Sequence, residues 1–81
     1  MPKTGKLEKL ELEEKKRQLK LIDQAALGSI EAAALLAEGY LRGSFGEAPN
    51  REKARKWASY AAKRGNPLAA KLLKEMESGG R

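Results

Sequence analysis

The chain has 81 residues and a formal net charge of +6, with 41% hydrophobic and 5% aromatic residues. A chain of this length forms one domain near the lower size limit for a stable core, and alanine and leucine must supply most of that core. Cysteine and histidine are both absent, which excludes disulfides, thiol chemistry, the usual zinc sites and the commonest general base. This composition predicts a protein of the reducing cytoplasm.

No apolar run approaches the roughly 20 residues that span a bilayer. The first residues, Met1 to Lys6, lead into charge and lack the apolar core of a secretory signal. We therefore expect a soluble protein that stays inside the cell.

Residue types that carry catalysis are present, but not in useful arrangements. Glu31, Glu38 and Glu47 have no histidine, nucleophilic lysine or second metal ligand at a suitable spacing. The segment 43–46 has too few glycines, and no lysine leading into a helix, to bind phosphate. We expect no enzymatic activity, no cofactor and no metal.

The first predicted element is a charged helix over residues 5–27, in which a polar gap from Glu13 to Gln18 separates two apolar groups. A coiled coil needs leucine-like residues over three or four heptads. The pattern therefore favours a solvated helix, whose C-terminal turns pack on the helices that follow, over a coiled coil. The apolar residues are Leu7, Leu10 and Leu12 before the gap and Leu19, Leu21, Ile22, Ala25 and Ala26 after it.

The second predicted helix covers residues 30–42 between two glycine breaks. Ala32, Leu36 and Tyr40 are four residues apart and share one stripe of this helix. The alanine on this stripe allows another helix to approach closely.

The loop over residues 43–50 ends with Pro49, which disfavours helix at the preceding residue, and Asn50, a good N-cap. Phe45 is its only bulky apolar residue. We expect Phe45 to close the end of a helical hairpin rather than to bind a ligand.

The third predicted helix covers residues 51–64. Its single tryptophan, Trp57, fills the space that small neighbouring residues leave, and we expect it to be buried against Ala32, Leu36 or Tyr40. The apolar face consists of Ala54, Trp57, Ala58, Ala61 and Ala62.

A fourth helix is predicted over residues 68–78, and it begins a repeat of the earlier pattern. Gly65 aligns with Gly28 at an offset of 37 residues, and the segments that follow the two glycines align as well. A period of 20 to 50 residues is typical of stacked helix pairs. Lys74, Glu75 and Glu77 then place charge where a further repeat would pack, so this helix is expected to end the stack.

Eleven residues of the second and third predicted helices and their flanking turns carry a recognisable pattern. They are Gly28, Ala32, Leu36, Tyr40 and Gly43 on the first half of the repeat and Lys53, Ala54, Trp57, Ala61, Ala62 and Gly65 on the second. Their spacing resembles the Sel-one-like repeat (SLR) family, relatives of the tetratricopeptide repeat. Three features depart from the family pattern: Ala37 replaces a glycine, Asn50 replaces an aspartate, and the loop before Asn50 is about one residue longer than in the family.

The resemblance implies an all-α fold, a short right-handed α-solenoid of antiparallel helix hairpins with a long charged N-terminal helix. Residues 1–27 would form that helix, its end acting as a half-repeat cap. Residues 28–65 would form the complete repeat, and residues 66–81 a capping helix with a frayed tail. SLR proteins mostly hold other proteins, so the resemblance also implies a non-enzymatic adaptor or scaffold that binds a peptide or helix of a partner protein.

Two surfaces are candidates for binding. On the second helix, a small apolar patch rimmed by charge would meet the partner protein; its residues are Leu35, Glu38, Leu41 and Arg42. On the third helix, a basic face containing an aromatic residue would suit an acidic protein or, as the alternative function, a nucleic acid; its residues are Lys53, Lys56, Tyr60, Lys63 and Arg64.

One complete repeat between two halves is less than the three repeats that solenoids usually need. We therefore expect that a second copy, in a homodimer, or a partner protein covers the exposed surface of the repeat. The other possibility, that the first helix folds back completely on the hairpin, is less favoured because the polar gap opposes it. The dimer would pair Leu7, Leu10 or the hairpin face with its own copy.

Overall fold

The protein is all-helical over the residues that its computed structural model describes, residues 5–79, with side chains placed from residue 12 to residue 78. Four helices follow one another in the chain: α1 (Gly5–Ala26), α2 (Ile30–Arg42), α3 (Arg51–Lys63) and α4 (Pro67–Gly79). These bounds lie within one residue of the predicted ones. The tail predicted to fray covers residues 79–81. Gly79 is instead the last residue of α4, while residues 80–81 and the side chains of Leu7 and Leu10 fall outside the described part of the chain.

Three of the helices begin at a side-chain cap, as the sequence predicts for the one at Asn50. Ser29 Oγ accepts a hydrogen bond from the Ala32 backbone N–H at 3.1 Å, and Asn50 Oδ1 accepts one from Lys53 at 3.0 Å. At the start of α4, Asn66 Oδ1 accepts from the Ala69 N–H at 2.9 Å. Each cap satisfies a backbone donor that the first helical turn leaves unpaired. Pro67 begins α4 because a proline at the first helical position lacks only an N–H that the helix does not use.

The turns that connect α1 to α2 and α3 to α4 have the same geometry, 37 residues apart. Gly28 and Gly65 have φ angles of 105° and 91°, which side chains with a Cβ rarely adopt. After each glycine, a backbone N–H bonds back to the carbonyl five residues earlier: Ser29 to Gln24 at 3.0 Å, and Asn66 to Ala61 at 3.1 Å. The sequence offset therefore corresponds to a repeated local structure.

Helix α2 lies at the centre of the fold and packs against the three other helices. Its core positions include Ala34, which is fully buried. Because α4 also packs on α2, α2 has fewer exposed positions than a helix in a single hairpin. The buried residues of α2 are Ala32, Ala33, Ala34, Leu36, Ala37, Gly39 and Tyr40.

The loop between α2 and α3 is anchored by Phe45, which is 1% exposed, as predicted for a residue that closes the end of the helix pair. Its ring meets Tyr40 edge to face, with centroids 5.4 Å apart. It also lies directly on Gly39, where a Cβ atom would overlap the ring. A glycine inside α2 thus makes room for an aromatic residue of the loop.

Helix α1 packs on α2 over a longer stretch than the sequence predicted, and the residues responsible are polar. Gln18 is buried and donates a hydrogen bond from Nε2 to the Tyr40 hydroxyl at 3.2 Å. Lys15 forms an ion pair with Glu47 in the α2–α3 loop. The prediction that the gap from Glu13 to Gln18 would oppose folding back was therefore wrong, because polar side chains of that gap bind the loop and the end of α2. Beyond them, Leu21 and Ala25 continue the contact into the core.

Candidate functional site

A groove separates α1 from α3 on one side of the fold. Both helices pack on α2, but among residues 5–79 they make no close backbone contact with each other. The groove has a volume of about 520 Å³, within the usual range of binding pockets. It is lined by Ala25 and Ala26 from α1, Tyr40 from α2, and Lys53, Lys56, Trp57 and Tyr60 from α3.

Helical spacing places the α3 part of this lining on one face. Lys53, Trp57 and Tyr60 are three or four residues apart and therefore neighbours along the helix surface. The buried stripe of Ala54, Ala58 and Ala61 lies beside this face and holds α3 against the core.

Trp57 packs against the core, as expected, but it is not fully buried, because it lies at the boundary between the core and the groove. No helix covers its outer side in the described part of the chain, because α1 and α3 do not meet. An indole that is only partly covered offers apolar surface to a partner.

The aromatic rings of the groove are held by one another and by cations. Trp57 and Tyr60 meet edge to face, with centroids 6.1 Å apart. The guanidinium of Arg64 lies 3.9 Å from the centre of the Tyr60 ring, and the Lys53 ammonium lies 5.4 Å from that of Tyr40. These cation–π contacts cover faces of the two tyrosine rings and keep positive charge at the rim.

Most of the predicted basic face belongs to this groove or its border. Lys53, Lys56, Lys63 and Arg64 are exposed, as expected for a solvated basic stripe, and Tyr60 is half-buried. The structure brings Lys53, Lys56 and Tyr60 together in the lining, while Arg64 contacts Tyr60 and Lys63 lies outside the lining.

The predicted partner-binding residues of α2 do not form one apolar patch. Leu35 and Leu41 are six residues apart, which places them about 120° from each other around a helix. Leu35 is 37% exposed, whereas Leu41 is half-buried and packs against the core. Glu38 is half-buried, and Arg42 is exposed and pairs with Glu75 of α4 at 3.1 Å.

A second, polar pocket of about 390 Å³ lies near the ends of α2 and α4. Its charged groups already have partners: Arg42 binds Glu75, and Arg51 donates to the Met76 carbonyl oxygen at 2.9 Å. These contacts hold α4 in place and account for the charges present. Met76, at 2% exposure, is a core residue that the sequence pattern did not single out.

The clearest electrostatic effect lies at the α1–loop contact, outside the groove. A hydrogen bond from Lys15, together with its positive charge, lowers the pKa of Glu47 below its ordinary value of 4.5. No group of three His, Cys, Asp or Glu side chains with metal-site geometry occurs among the described residues.

Two features of the site escaped sequence reasoning. The α1 wall, Ala25 and Ala26, was assigned to helix packing, and the gap between α1 and α3 has no local sequence signal. Tyr40 was assigned to the core, where it is 6% exposed, but its remaining surface forms the floor of the groove. Only the half-polar character of tyrosine at the end of an apolar stripe could have indicated this position.

Within residues 5–79, none of the helices combines the length and apolarity needed to cross a membrane. Comparison of the sequence with protein-family models gives no match, and comparisons with curated proteins and with solved structures give none either.

Proposed function

We propose that this chain is a non-enzymatic protein-interaction module of the Sel-one-like repeat type, which binds an acidic segment of a partner protein in the groove between α1 and α3. The observation that carries this proposal is the groove itself. Three aromatic residues and two alanines supply an apolar surface, and Lys53 and Lys56 stand beside it.

The repeat architecture is the framework of the proposal. A half repeat, a complete repeat and a second half repeat account for the four helices in order. The matching turns at Gly28 and Gly65 support this division. In such repeats each helix pair presents surface that a neighbouring pair or a partner covers. A cytoplasmic location stays a prediction from composition.

The chemistry of the groove defines the partner segment. Half-buried Trp57 and Tyr60 favour an apolar or aromatic anchor residue, since such residues give most of the binding energy in protein interfaces. The lysines, with Arg64 close by, favour carboxylates on either side of the anchor and increase the association rate with an acidic partner. A short acidic peptide with one large apolar residue meets both requirements.

Nucleic acid is the second candidate, favoured by the net charge of +6 that the sequence carries over residues 51–81. Single strands bind by stacking bases on open aromatic faces. Arg64 and Lys53 already lie over faces of Tyr60 and Tyr40, and Trp57 and Tyr60 are not parallel. This arrangement favours a protein partner.

The test begins with selection of peptides from a random display library on the intact chain. We expect enrichment of sequences that combine an apolar anchor with acidic residues. Because Trp57 is the only tryptophan, its fluorescence reports binding of a selected peptide at the groove. Reversal of both groove lysines, Lys53→Glu with Lys56→Glu, is expected to raise the Kd by about tenfold or more.

A matched control carries the same charge change on α4, Lys71→Glu with Lys74→Glu, and should bind the peptide nearly as well as the parent chain. Equal loss in both variants would show that net charge, not the groove, attracts the peptide. Tight binding of a labelled single-stranded oligothymidylate, weakening steeply with salt and lost in the groove variant, would favour the nucleic-acid function.

A further inference from the structure

Helix α1 has a second surface, on the side away from α2, that takes no part in the contacts described above apart from Ala26, which also borders the groove. Leu12 and Leu19 are 58% and 63% exposed, although both are large and apolar. They are seven residues apart, and Ala26, also exposed, is seven residues further on. Residues seven apart drift only about 20° around a helix, so the three form one stripe.

The charges on this stripe are arranged around its midpoint. Lys16 lies three residues before Leu19, and Asp23 lies four residues after it; both are exposed. With about 1.5 Å of rise per residue, the two charges are nearly equidistant from Leu19, in opposite directions. The two charged residues lie between the apolar ones, so that successive residues of the stripe are alternately four and three positions apart. This spacing is typical of helices that pair along their length. In chain order the stripe is Leu12, Lys16, Leu19, Asp23 and Ala26.

Such a stripe is complementary to itself when two copies run antiparallel. A two-fold axis near Leu19 places Leu12 of one chain opposite Ala26 of the other. It also places Lys16 within about one residue of Asp23 of the second copy, giving two opposite-charge pairs per dimer. Leu27, which is 86% exposed in the turn after α1, lies beside Ala26 and adds apolar surface at each end of the contact.

We propose that the outer stripe of α1, residues Leu12, Lys16, Leu19, Asp23 and Ala26, is the interface of an antiparallel homodimer of this chain. The second copy is the occupant that the observations select, because the stripe matches its own reversed sequence in both apolar residues and charge. The stripe lies away from the groove and meets it only at Ala26. A dimer therefore presents two grooves.

Sedimentation equilibrium of the intact chain tests the interface. We expect the weight-average mass to rise from the monomer value of 8.9 kDa toward twice that value with increasing concentration. Leu19→Asp places two like charges at the axis and should keep the chain monomeric. Leu35→Asp, which introduces the same change at an exposed leucine of α2, should leave the dimer intact.

Charge exchange gives an independent test. Lys16→Glu and Asp23→Lys should each raise the dissociation constant by about tenfold, because by symmetry each creates two like-charge contacts. The double variant restores both pairs and should recover the affinity of the parent chain. Circular dichroism confirms that each variant remains helical.

Three outcomes would overturn the proposal: a parent chain that stays monomeric at every concentration, a Leu35→Asp variant that dissociates as Leu19→Asp does, or a double charge exchange no tighter than the single changes. None of these outcomes affects the groove proposal, which is tested by peptide binding followed through Trp57 fluorescence. The two proposals therefore succeed or fail separately.

Discussion

At the scale of single residues, the close contact between Gly39 and Phe45 determines how the α2–α3 loop is held. An alanine in place of a helical glycine usually gains up to about 1 kcal/mol through helix propensity. Here the added methyl group would overlap the Phe45 ring, and overpacking of a core typically costs about 1–3 kcal/mol. We expect Gly39→Ala to destabilise the protein, as measured by urea denaturation.

The double variant Gly39→Ala with Phe45→Leu separates overlap from any other effect of alanine. A smaller side chain at position 45 leaves room for the methyl group, so the two changes together should cost less than the sum of the single costs. Strict additivity would show that Phe45 is not the group that the methyl meets.

Burial also predicts the relative costs of removing two aromatic side chains, Phe45 and Trp57. Phe45→Ala empties a site that is 1% exposed and should cost about 3–5 kcal/mol. Trp57 faces the groove and is partly exposed, so Trp57→Ala leaves less of a cavity and should cost less than Phe45→Ala. Urea denaturation of both variants gives the order, and a larger cost at Trp57 would mean that the groove is closed in solution.

At the scale of elements, one of the contacts that attach α1 is an exposed ion pair with the α2–α3 loop, between Lys15 and Glu47. The folded-state pKa of Glu47 is lowered by Lys15, so the ionised carboxylate stabilises the folded state. This contribution is fully present above the ordinary pKa of 4.5 and is lost as the pH falls through the lower folded-state value.

The variant Glu47→Gln should therefore melt at a lower temperature than the parent chain at neutral pH, and the difference should shrink as the solution is acidified well below pH 4.5. Melting curves followed by circular dichroism measure both. The control Glu77→Gln removes an exposed carboxylate of α4 and should not reproduce this pH dependence. A Glu47→Gln difference that persists in acid would assign the effect to something other than ionisation.

The helices were predictable from the sequence because their signals are local. Apolar spacing, the cap Asn50, and the glycines after α1 and α3 each act within a few residues, and the structure uses them as expected. The attachment of α1 was not predictable in the same way. Apolar periodicity ignores polar residues, and Gln18 contributes through a buried hydrogen bond to Tyr40.

At the scale of the whole molecule, the candidate site depends on a separation that no local pattern encodes. The spacing along α3 placed Lys53, Lys56 and Tyr60 on one face correctly. The distance between α1 and α3 across α2 determines the rest of the site. It leaves Trp57 at the border of this face and makes Ala25 and Ala26 the opposite wall. The sequence therefore indicated a basic surface but not a groove.

The order of the helix contacts along the chain also bears on how the protein folds. The main contacts join helices that are adjacent in the sequence, α1 with α2, α2 with α3 and α3 with α4, and only the smaller contact between α2 and α4 skips an element. Closing short loops costs little chain entropy, and proteins rich in local contacts fold quickly. A chain with this topology can begin folding at any adjacent helix pair and add the others one by one, so no single distant contact has to form first.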